Sequence, residues 1–195
     1  MKTIFSINLL ILILIISCSE KNQDIQITEN QKQEMRENAS EFMGQLKSIL
    51  IKQIKSEGTL SAVAVCSDTA QVLTNDFGLR KGVYIKRVSF KNRNKHNVPD
   101  GFEAKVLKEF EQMKKEGKLT SDTEHFEIAI ENDYQYLRYM KPIKIGAACL
   151  KCHGDKEKIS SEVKGLITKR YPDDKAVGYK NGDLRGAISI KKLID

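Results

Sequence analysis

Between Thr28 and Lys55 the apolar residues Met35, Ala39, Phe42, Met43, Leu46, Ile49, Leu50 and Ile54 recur mostly in steps of three and four, with charged residues on the other faces. That period predicts a long amphipathic helix, and Gly58 breaks it. Leu60 to Val72 is small and apolar with Cys66 at its middle. It predicts a second, more buried helix, its β-branched residues leaving a strand as the alternative. Val83–Phe90 alternates and predicts a strand. A basic loop, Lys91–Gly101, leads into a third helix carrying Phe102, Val106, Leu107, Phe110 and Met113 and stopped at Gly117. His125–Glu131 and Tyr134–Lys144 predict a hairpin turning at Asn132-Asp133. A helix over Ser160–Arg170, a loop over Tyr171–Asp183 and a last strand over Leu184–Ile190 complete the chain. The fold class is α+β: an antiparallel sheet with helices packed on one side.

The 195 residues are 40% hydrophobic and 30% charged, which suits one folded domain plus a targeting segment and is too apolar for a disordered chain. The net charge of +7 is spread along the helices, as on a solvated surface rather than a nucleic-acid footprint. At the N-terminus, Lys2 precedes an apolar run from Leu9 to Ile16 that is shorter than a membrane-spanning helix and closes on Ser17. Ile15-Ile16-Ser17-Cys18 resembles a bacterial lipoprotein signal, with Ile where Leu is usual. The chain is thus expected to divide into a signal over 1–17, a polar tether over 18–27 and a domain over 28–195. Acylated Cys18 would serve as the lipid anchor. That makes the membrane a partner, and places the domain on the periplasmic or cell-surface side, where a free thiol needs a reason to exist.

Cys149-Leu150-Lys151-Cys152-His153 is a CxxCH motif. Two thiols three positions apart in a tight turn can add to the two vinyl groups of one haem. The imidazole that follows is then held beneath the iron as proximal ligand. A thioredoxin-like dithiol lacks its surrounding βαβ pattern, and a zinc site lacks a second ligand pair. A Cys149–Cys152 disulfide would close a very small loop and contribute little. Export favours one covalent haem c.

With the motif stand Ala64-Val65-Cys66-Ser67, Arg87-Val88-Ser89, Arg93-Asn94, Asn97-Val98-Pro99-Asp100-Gly101-Phe102-Glu103, Lys141-Pro142-Ile143, Tyr171-Pro172-Asp173-Asp174, Gly178-Tyr179 and Gly182-Asp183-Leu184-Arg185-Gly186-Ala187. On these stretches the chain resembles the exported, single-CxxCH haem domains with a PAS-like fold, found alone and as the sensing portion of histidine kinases and chemotaxis receptors. After Arg93-Asn94 that family usually has a proline soon, and here Lys95-His96 follow. The resemblance implies that Cys66 is the axial thiolate opposite His153. The bland reading of Cys66 is a small buried hydrophobe. An open or water-bound site, His96, His125 and Met140 are the other candidates for that position. Arg87, Arg138 and Tyr139 lie on strands and could face the haem propionates, a solvated strand face being the alternative for each.

A thiolate favours ferric iron, so the potential is expected to be low, and reduction would weaken the iron–sulfur bond. The expected function is a membrane-anchored redox or diatomic-gas sensor, with a low-potential periplasmic electron-transfer cytochrome as the alternative. A homodimer or a signalling or redox partner would meet the N-terminal helix. Peroxidase-type catalysis would need a distal acid–base pair, and neither His96 nor His125 sits in such a motif.

Overall fold

The computed structural model describes residues 26–194; the signal, Cys18 and most of the tether lie outside the described residues. The first element, α1 (Glu29–Lys81, 53 residues), opens with a capping box in which Thr28 and Gln31 satisfy each other's backbone donors. Helical backbone is interrupted once, at Gly58, whose φ of 86° and ψ of 177° suit glycine. The chain folds back there. Phe42 packs on Phe77 with ring centroids 5.4 Å apart, Lys81 pairs with Glu41, and Gln53 donates to Ser61. The predicted break at Gly58 is therefore the tip of a helical hairpin. The second arm is helical, as expected, and runs on to Lys81 instead of ending near Val72.

Four strands follow, β1 (Tyr84–Val88), β2 (His125–Glu131), β3 (Tyr134–Lys144) and β4 (Leu184–Ile194), with α2 (Gly101–Lys115) between β1 and β2. They form one antiparallel sheet in the order β1-β4-β3-β2. The β2–β3 hairpin has its predicted bounds, and Asn132 and Asp133 both adopt positive φ, as a tight two-residue hairpin turn requires. The last strand extends beyond Ile190 to Ile194.

Helices cover both faces of this sheet, which corrects the expectation of one-sided packing. Ile85, Leu137, Tyr139, Ile188 and Ile190 face Met35, Ala39, Phe42 and Phe77 of the hairpin. Val88, Met140 and Ala187 face Val106, Leu107 and Phe110 of α2. The reason lies in β4, where Gly186 to Ile190 are all buried. A strand apolar on both faces needs cover on both. Between β3 and β4 run two short α-helices, the single-turn α3 (Leu150–His153) and α4 (Ser161–Arg170), each preceded by a 3-10 turn and the latter packed on α1. No helix among the described residues is long and apolar enough to cross a membrane.

Candidate functional site

One cavity of about 260 Å³ lies between the helical hairpin, the β1–β4 end of the sheet and the CxxCH turn. Met43, Leu50 and Ile54 line it from the first arm of α1, Val63 and Cys66 from the second, and Ile143 and Ile145 from the end of β3. Cys149, Cys152 and His153 line it from the opposite wall. The wall is built by the chain leaving β3: Ile145 donates its N–H to the Asp183 carbonyl and accepts the Gly182 N–H, then Ala147–Cys149 make a 3-10 turn that runs straight into α3. The Gly154 N–H closes α3 on the Leu150 carbonyl.

His153 Nδ1 lies 2.7 Å from the Ala176 carbonyl. A carbonyl only accepts, so Nδ1 carries the proton and Nε2 keeps its lone pair. Burial, with Arg93 as a secondary cause, pushes this imidazole down to about 3, so it is neutral at physiological pH. Burial also pushes up the thiols of Cys152 and Cys66, with Arg87 opposing it at Cys66. Cys66, Cys149 and Cys152 are free and half-buried.

Two guanidiniums, Arg87 on β1 and Arg185 on β4, line the same cavity. Burial is the main influence depressing both; Arg185 adds to it at Arg87, and at Arg185 Tyr179 opposes it while Arg93 adds to it. The ionisable neighbours of Arg87 are Arg185, Cys66 and Tyr171, with no carboxylate beside it. Arg185 has Asp174 as a charged neighbour, so it is the half-buried Arg87, with no carboxylate beside it, that leaves positive charge uncompensated and suits an anion. Paired thiols, a neutral imidazole with a free Nε2, an apolar lining and two guanidiniums suit a haem: Cys149 and Cys152 would hold it through thioethers, His153 would ligate its iron, and Arg87 and Arg185 would stand toward its propionates. The haem would supply a one-electron iron couple there.

Of the residues singled out from sequence, Cys66, Arg87, Cys149, Cys152 and His153 come together on this cavity. Arg138 and Tyr139 do not, which corrects their expected place in the pocket. Successive strand residues point to opposite faces. Arg138 turns to the α2 face, bonded to Asp100 and Glu131 and 4.3 Å over the Phe102 ring. Tyr139 faces α1 but within the sealed core, donating to Glu124 and stacked near Phe126. Met140 packs against α2, His125 sits between Glu109 and Glu127, and His96 is exposed in a 3-10 turn. Among the alternatives named for the position opposite His153, Cys66 alone lines the cavity. Arg185 and Tyr171 also line it. Both stand in stretches that carry the family resemblance, but nothing in their local pattern assigns them to a pocket, because only the crossing of β4 and the loop before it brings them there.

Fold and cavity together define an α+β domain with one chamber closed by a CxxCH turn. The chain belongs to the Tll0287-like family, whose family model matches residues 26–192. A crystal structure of the cyanobacterial heme-protein Tll0287 aligns with a TM-score of 0.63 at 21% identity, covering 87% of this chain and 98% of that one, a likeness of fold. No curated protein matches the chain.

Proposed function

We propose that this protein carries a single haem c, bound through Cys149 and Cys152 with His153 and Cys66 as axial ligands, and acts as a membrane-anchored sensor of redox state or of a diatomic gas. The observation that carries the reading is the convergence of those four residues with Arg87 and Arg185 on one cavity. The aligned heme-protein of the same fold supports it. In this proposal the chain is exported, and acylated Cys18 tethers the domain at the periplasmic or cell-surface membrane. Kinship with PAS-like sensing domains is part of the same proposal.

Sensing is favoured over electron carriage by where Cys66 stands. Its helix arm is joined through Gly58 and the Phe42–Phe77 contact to the N-terminal arm, so loss of the thiolate would be felt at the surface offered to a partner. An electron carrier would instead keep Cys66 in place in both oxidation states.

The test is a visible spectrum of the full chain matured with haem, oxidised and reduced, with and without CO. The reading expects pigment that stays with the protein in acidified organic solvent, a ferric spectrum altered by Cys66→Ser, and release from membranes on Cys18→Ala. Pigment that extracts freely would refute covalent attachment. Unchanged ligation on reduction, with no CO binding, would favour the low-potential electron-transfer reading.

A further inference from the structure

Arg93 lies in the loop between β1 and α2, far along the chain from the CxxCH turn, yet its guanidinium grips that turn's base. Nε donates to Asp174 Oδ1 at 3.1 Å, and Nη2 donates to Asp174 Oδ2 at 3.1 Å, to the Cys152 carbonyl at 2.6 Å and to the Ala176 carbonyl at 3.3 Å. Asp174 Oδ1 also accepts the Ala176 N–H at 2.9 Å. Both side chains are nearly buried, 13% and 9% exposed. The Ala176 backbone is thus held at both its N–H and its carbonyl, and that carbonyl is the one that receives His153 Nδ1–H.

A four-residue helical turn fixes a backbone but leaves an imidazole two rotatable bonds. The Nδ1 bond fixes the ring only as well as the carbonyl itself is fixed, and that carbonyl belongs to the Tyr171–Asp183 loop, which has no regular structure. We propose that Arg93 and Asp174 act together as positioning residues for His153, setting the plane in which the imidazole meets a haem iron and the firmness with which it stays there. This rests on the haem reading above and adds to it. Breaking a buried pair strands one charge and frees the loop, and the loss of such outer partners typically costs about 10–100-fold in metal affinity.

The experiment compares the full chain with Arg93→Gln, Asp174→Asn and Arg93→Lys. Covalent haem per chain, measured as the pyridine haemochrome, tests the haem reading by itself. On the haem-loaded proteins, ferric EPR should show one low-spin species in the parent. Arg93→Gln and Asp174→Asn should each add further species, and added imidazole should displace His153 about tenfold faster in both. Arg93→Lys, which keeps the charge but not the fork, should fail to restore the parent signal. In the apoprotein, the His153 Nδ1–H proton should be protected from exchange in the parent and exposed in both variants. Should Arg93→Gln not fold, the nearly isosteric Asp174→Asn carries the comparison. A parent without haem defeats the haem reading. Variants that keep the parent's EPR, imidazole exchange and Nδ1–H protection defeat this inference. So would effects of Arg93→Gln and Asp174→Asn that cancel when the two substitutions are combined in one chain, since the pair would then act by charge alone.

Discussion

Replacing Phe77 by alanine removes a ring with no solvent exposure from the seam between the two arms of α1, where it meets Phe42 at a centroid distance of 5.4 Å. Returning such a side chain to water costs about 2–3 kcal/mol. The void adds to that, because Met35, Ile85 and Tyr139 are themselves buried in the same cluster and held by the sheet behind them. The sum should be about 3–5 kcal/mol. For a domain of this size each kcal/mol lowers the melting temperature by about 2–4 °C, so the midpoint should fall by about 6–20 °C. Urea and thermal unfolding of the apoprotein, followed by circular dichroism, read both quantities. Phe42→Ala should cost a similar amount, and the double variant less than the two together by about 0.5–1.5 kcal/mol, the worth of the ring contact. Single losses below about 1 kcal/mol, or costs that simply add, would show that the arms are not pinned by this pair.

Arg87→Met keeps the side chain's length but removes a half-buried cation that has no carboxylate beside it. The apoprotein should gain about 1–3 kcal/mol while the haem-loaded form gains nothing, its propionate having lost a partner; a destabilised apoprotein in a urea titration contradicts this. Gly186→Ala should cost at least about 1–3 kcal/mol. At a φ of +149° a Cβ would meet the Val88 carbonyl at 2.1 Å, so β1 and β4 must part; unchanged unfolding would disprove that close approach. Lys191 and then Arg138 hold the Glu131 carboxyl below its usual 4.5. Burial of Asp100 opposes ionisation but is outweighed by the Glu103 N–H and Arg138. Both folded values lie below the unfolded ones, so this stability is complete above the ordinary carboxylate range and is lost as pH falls beneath it. The urea midpoint should therefore drop between about pH 5 and pH 3, and less steeply in Arg138→Met; equal slopes would exclude the Arg138 contribution.

Local pattern was enough for most elements of this fold. The β2–β3 hairpin needs only alternating residues around Asn132-Asp133, and α2 needs only its periodic face and the Asp100–Glu103 cap. The CxxCH turn was legible for the same reason, since its thiols and imidazole lie within five consecutive residues. The turn-back at Gly58 was half-legible. A glycine announces a break, but only Phe42 meeting Phe77 says that the two arms lie side by side.

Composition, period and spacing settled the α+β class, the order of the main helices and strands and the CxxCH motif, because each depends on neighbours a few residues apart. The tertiary structure alone decided which arginines face the cavity. Arg87 and Arg138 both sit on strands, but β1 turns one toward the hairpin and β3 turns the other toward α2. It alone brought in Arg185, and laid Arg93 and Asp174 across the base of the histidine. Which face a strand shows, and what reaches it from a distant loop, follow from the order in which strands pair and from the helix that covers each side.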